Sequence, residues 1–192
     1  MTLLHAAIAA HTRVFTALER ALDGWFLGLA ARFVFAGVLL FYFWNSALTK
    51  IGSGFPGIFV PQDSAYFQIL PSVVEQFNYN VASVPFLPYG IIVYAGTYAE
   101  FLLPFLIVVG LFTRLASLGM IGFIVVQSSV DILFHGVDAA TIGALFDRVQ
   151  DAAIMDQRAL WIFVLVALVV KGAGAISLDA LIGKRFAAAK AS

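Results

Sequence analysis

The chain has no cysteine, only three histidines, and few charged residues: lysine, arginine, aspartate and glutamate make up 11% of its 192 positions, where soluble proteins carry about 25%. Without cysteine there is no disulfide relay, no thiolate nucleophile and no cysteine-ligated iron–sulfur cluster. His5 and His11 precede the first apolar run and only His135 lies near a later one, so a bis-histidine haem inside the protein is not expected. No Gly-rich dinucleotide or nucleoside-triphosphate loop is present, which removes the usual flavin and nucleotide sites. Asp131 and His135 stand four apart, but two ligands do not make a metal site. Any redox chemistry must therefore use a diffusible cofactor or one held by a partner protein.

What the chain does have is hydrocarbon. Hydrophobic residues make up 62% of it and the mean hydropathy is +0.98. Period-2 alternation is absent, which argues against a β-barrel. The expectation is an all-α integral membrane protein, a single membrane domain over 1–192 built as a four-helix bundle. The spans fall at about 25–47, 85–109, 114–134 and 157–178, each near the roughly 20 residues that a bilayer requires. Long connections cover 48–84 and 135–156. In the first, Ser64 is placed to cap a short helix through Phe77 that lies on the bilayer surface or over the bundle mouth. Residues 1–22 carry Leu4, Ala7, Val14, Phe15, Leu18 and Leu22 near helical spacing, with Arg13 and Arg20 opposite, the pattern of an amphipathic interfacial helix. No basic region precedes this apolar run, which argues against a cleaved signal peptide.

The distribution of lysine and arginine sets orientation. With both termini cytoplasmic, Arg13, Arg20, Arg114, Lys171, Lys184, Arg185 and Lys190 lie inside, against Lys50, Arg148 and Arg158 outside. The expected location is a bacterial inner membrane, crossed several times. The lipid bilayer is then the first partner, with a redox protein or a second copy of the chain as further ones and no nucleic acid.

Two polar groups stand out. Arg32 in span one and Glu100 in span two lie about 10 and about 15 Å, respectively, from the same membrane face, and intramembrane charges normally have partners. An Arg32–Glu100 ion pair is expected. Pro104 lacks the N–H that would bond the Glu100 carbonyl, and Gly96 lies one turn from Glu100 on the same stripe. Arg32, Gly96, Glu100 and Pro104 thus form a candidate ligand site. Toward the other face, Gln127, Asp131 and His135 share one helix side and lie near Asn45 and Lys50, a candidate external polar mouth in which Asp131 pairs with Lys50 or His135.

Three stretches resemble the DoxX family of small four-helix bacterial membrane proteins. They are Arg32 followed by Lys50, with Ala47 where the family's Gly-x-x-Lys has glycine; "GLFTRLASL" from Gly110 to Leu118; and "GAGAISLD" from Gly172 to Asp179, with Ala173 and Ala175 replacing the usual proline and arginine. At the cytoplasmic surface, Arg114 and Asp179 are expected to pair and tie the inner loop to span four. The resemblance implies membership of membrane-bound redox systems, since relatives include a subunit of a thiosulfate:quinone oxidoreductase and proteins linked to oxidative-stress complexes or to catechol and quinone detoxification. The chain would then be a subunit without covalent cofactor that binds quinone or another amphipathic molecule in the bundle. A non-catalytic scaffold or a small-solute permeation protein is the alternative.

Overall fold

The computed structural model describes residues 2–191. Four helices are long and apolar enough to cross a bilayer: span one Phe26–Leu48, span two Phe86–Val109, span three Thr113–Leu133 and span four Ala153–Lys171. Among the described residues every element is helical. Span one packs on two and four, and span three packs on two and four, so the bundle is a closed ring in which successive spans run antiparallel. The chain enters and leaves at one end, the terminal end, and the two long connections lie at the other, the connection end. Between the helices, Phe35, Leu39, Phe43, Ile107, Met120, Ile124, Leu165 and Leu168 form a core with at most 2% exposure.

Backbone carbonyls at a helix C-terminus have no intrahelical donor, and in hydrocarbon no water replaces one. Arg32 meets that need at the terminal end. Its guanidinium donates to the carbonyls of Ile107 and Val108 in the last turn of span two and to those of Ala173 and Ile176 beyond span four, at 2.5–3.1 Å. The expected Arg32–Glu100 pair is not formed. The reason is directional: Cα–Cβ bonds lean toward the N-terminus of their own helix. Arg32 on span one therefore leans to the terminal end, and Glu100 on the antiparallel span two leans away from it.

The turn between spans two and three completes this knot. Gly110 ends span two at φ +72, and a Cβ on it would stand 2.5 Å from Ser177 Cβ and 2.9 Å from Arg32 Cζ, so only glycine fits. The Asp179 carboxylate accepts from the N–H groups of Phe112 and Thr113 at 2.8 and 2.9 Å, capping span three as an N-terminal acceptor should. Asp179 does tie the loop to the segment after span four, but not through Arg114. The ion pairs among the described residues lie elsewhere, and a Cβ on Gly172 would lie 3.3 Å from Arg114 Nε.

Span four stops at Lys171 rather than near 178, because Gly172 and Gly174 adopt φ +78, and a separate helix runs over Leu178–Ala191. The N-terminal helix, Leu3–Leu22, has no buried residue, and Leu4, Val14, Phe15 and Leu18 on it stay exposed. In the first connection, the helix expected from Ser64 to Phe77 is divided into Asp63–Ile69 and Pro71–Gln76. Pro71 drives the preceding Leu70 out of helical geometry, to φ −129, ψ 52. Ser64 caps nothing; its hydroxyl donates to the Thr49 carbonyl at 2.8 Å.

Arg32→Lys keeps the charge but replaces a planar fork by one ammonium group, which cannot reach carbonyls on two segments. Losing donors to buried carbonyls costs roughly 1–3 kcal/mol each, so the variant should lose at least about 2 kcal/mol of stability, read as a lower unfolding temperature in detergent. Unchanged stability would show that those carbonyls have other donors.

Candidate functional site

Lys50 lies two residues past the end of span one at Leu48. Its N–H donates to the Ala47 carbonyl at 3.0 Å and its carbonyl accepts from Gln62 at 2.8 Å, which fixes its backbone between the helix end and the first connection. The side chain turns back into the bundle. Its ammonium donates to both carboxylate oxygens of Glu100, at 3.0 and 2.8 Å, and to the Ser46 hydroxyl at 2.8 Å. Both partners are almost sealed, with side chains 4% exposed. Lys50, expected at the external mouth, is thus the partner of Glu100, and the two groups of the sequence reading merge into one site.

A second pair lies nearby. Arg158 at the start of span four donates to Asp131 at 2.6 Å and to the Ser128 hydroxyl at 2.8 Å. Asp131 therefore pairs with neither Lys50 nor His135. His135 instead donates through Nε2 to the Gln68 carbonyl, 3.1 Å away, and so fastens the short helix Asp63–Ile69 to the end of span three. On that helix, burial pushes the Tyr66 hydroxyl pKa up, with Tyr94 and Asp63 adding to the effect.

These groups surround a cavity of about 470 Å³, within the roughly 300–1,000 Å³ of small-molecule sites. Span two lines it with Ile92, Ala95, Gly96, Ala99, Glu100 and Leu103, span three with Gly119, Gly122, Phe123, Val126, Gln127, Val130 and Asp131, and Ser46, Lys50, Gln68, Ile69 and His135 complete it. The repeats of three and four residues put each set on one helix face. The two spans meet where Leu103 lies against Gly119, 3.2 Å from the position of a Cβ there; one turn further, Gly122 has no heavy atom within 4 Å of its Cβ position. Above that contact, small side chains leave the space unfilled. Ile69 reaches down onto Gly96, 3.1 Å from where its Cβ would be, and forms part of a roof.

Gly96 and Glu100 from the candidate ligand site, and Lys50, Gln127, Asp131 and His135 from the candidate mouth, share this cavity. Arg32, Pro104 and Asn45 are not among its walls: Arg32 is engaged at the terminal end, Pro104 is buried one turn below Glu100, and Asn45 is exposed. Near Pro104, the Trp44 indole donates to the Phe101 carbonyl at 3.2 Å. Ser46, Gln68 and the row of small residues went unnoticed in the sequence. The glycines and alanines at helical spacing, facing each other across spans two and three, were the available signal. The cavity combines apolar walls, a charged pair able to donate and accept protons, and Gln127, whose buried Oε1 has no partner.

A double-mutant cycle separates the two proposed partners of Glu100. Lys50→Met or Glu100→Leu alone leaves an unpaired buried charge and should cost about 3–5 kcal/mol, while the double variant should be near neutral. Arg32→Ala and Glu100→Leu should add within about 0.5 kcal/mol. Additivity at Lys50 and Glu100 in unfolding measurements would refute the pairing.

No curated protein and no solved structure among those compared matches the chain. The DoxX family model matches residues 27–136, more than half of the chain, from the first turns of span one to the end of span three. With its four membrane-crossing helices and the residues that carry the likeness, the chain belongs to the DoxX family.

Proposed function

We propose that this DoxX protein is an inner-membrane subunit of a quinone-linked redox or detoxification system, and that it binds quinone or another amphipathic small molecule in the cavity between spans two and three. The observation that carries the reading is the Lys50–Glu100 pair, 2.8 Å apart and almost without solvent, at the wall of a mostly apolar cavity. A quinone carbonyl at that wall would accept a hydrogen bond from the Lys50 ammonium, which also offsets negative charge developing on the reduced ring. Glu100 would relay, one at a time, the two protons that accompany two-electron reduction of the quinone. Lys50 thereby takes the place of Arg32 in the candidate ligand site, because Arg32 is bonded to carbonyls at the far end. Electrons would come from a redox-partner protein.

Both termini are placed in the cytoplasm in this reading. Lys50 and Arg158, two of the three cations at the connection end, are buried in ion pairs, so they weigh little against the basic residues of the terminal end, and the positive-inside bias sharpens. Permeation fits less well. Phe35, Leu39, Ile107, Met120, Ile124, Leu165 and Leu168 fill the bundle interior, and no wall of the cavity extends past Leu103 and Gly119 toward the terminal end.

The test is solvent extraction and mass spectrometry of protein purified from native membranes. A prenylated quinone should accompany the wild type. Its amount should fall about tenfold in Lys50→Met, the effect of losing one charge-assisted hydrogen bond, and likewise in Ala99→Phe, which fills the cavity and leaves the ion pair intact. Absence of quinone from the wild type, or equal amounts in all three proteins, would overturn the reading.

A further inference from the structure

The cavity is roofed at the connection end, with exposed His135 at the edge of the roof, and open toward the side of the bundle. At the connection end, Ile69 lies on Gly96, the Gln68 carbonyl is held by His135, and the Gln68 amide donates to the Thr49 hydroxyl at 3.2 Å. Toward the side of the bundle no such cover exists among the described residues. Ala95 on span two and Gly119, Gly122 and Val126 on span three line the cavity and are all exposed on membrane-spanning segments, with Val126 63% accessible. This gap lies at membrane depth, level with Glu100 and above it, so what faces it is hydrocarbon.

From this we infer that the gap between spans two and three, past Gly122, is a lateral portal. A ligand enters from the bilayer, its polar head reaches Lys50 and Glu100, and its apolar tail stays in the slot beside Gly119 and Gly122 with its end in the lipid. The site then selects lipid-phase molecules with a long unbranched or prenyl tail over water-soluble compounds with the same head. This rests on the ligand class proposed above, but the portal itself is testable without any ligand.

The absence of native cysteine makes single-cysteine labelling clean, and Gly122 has room for a side chain. Spin-labelled Gly122→Cys in lipid nanodiscs should collide readily with molecular oxygen, which partitions into lipid, and poorly with the water-soluble nickel ethylenediaminediacetate complex. It should match a label at Phe163, an exposed residue of span four. Nickel accessibility exceeding that of oxygen at position 122 would overturn the portal, whatever ligand is bound. The second arm measures binding of decyl-benzoquinone and of the same ring without its tail. Gly122→Leu should weaken the tailed quinone about tenfold and leave the tailless one within twofold. Equal weakening of both, or none, would overturn the tail slot. A lipid-accessible label in a wild type that binds neither quinone would confirm the portal and reject the quinone reading.

Discussion

Hydrocarbon forbids an unpaired charge, and this bundle is organised by how its few buried ones are answered. Lys50 and Glu100 are each expensive alone in such surroundings, and together they close into a pair with Ser46 as a further acceptor. A buried pair of this kind is weak evidence for stability. Its structural effect is geometric: it draws the end of span one inward against the middle of span two, and fixes where the first connection begins. From Thr49 and Lys50 the connection is bonded to Ser64 and Gln62, and through Gln68 to His135. The roof of the cavity is thus referenced to the same ion pair that supplies the cavity's chemistry.

The two ends of the bundle use polar groups differently. At the terminal end, Arg32 and Asp179 bond to backbone, finishing helices that would otherwise expose orphan carbonyl and amide groups. At the connection end, side chain meets side chain, in Lys50–Glu100 and Arg158–Asp131. Backbone-directed contacts leave no residual chemistry, because both partners are fixed. Side-chain pairs retain protons that can be exchanged. The division matches the distribution of volume, with packed apolar residues below Leu103 and an open cavity above it.

Much of the architecture was legible in the sequence. Four apolar runs, their order and the family-like turn at Gly110 follow from hydropathy and a few residues, since a bilayer leaves little choice of element. Glu100 also stood out, because a lone carboxylate in a greasy helix demands a partner. The identity of that partner was not legible from depth alone. Counting residues placed Arg32 and Glu100 within reach of each other, but the lean of each side chain along its own helix sends them apart, and the same lean brings Lys50 down to Glu100. Arg158 was visible only as a charge on the outer side, since nothing local in its sequence tells that span four begins at Ala153, early enough to set it opposite Asp131. The cavity was hidden for a different reason. Small residues on facing helices signal close approach as readily as empty space, and only the three-dimensional splay above Leu103 decides between them.

The knot around Gly110 has a consequence for how the protein is made. Arg32 is synthesised well before two of its acceptors, the Ala173 and Ile176 carbonyls. The same holds for the amides of Phe112 and Thr113, which wait for Asp179. The turn joining spans two and three therefore remains chemically unfinished until the segment after span four arrives. Assembly of this knot is closed by the segment after span four, which joins span one to the turn between spans two and three.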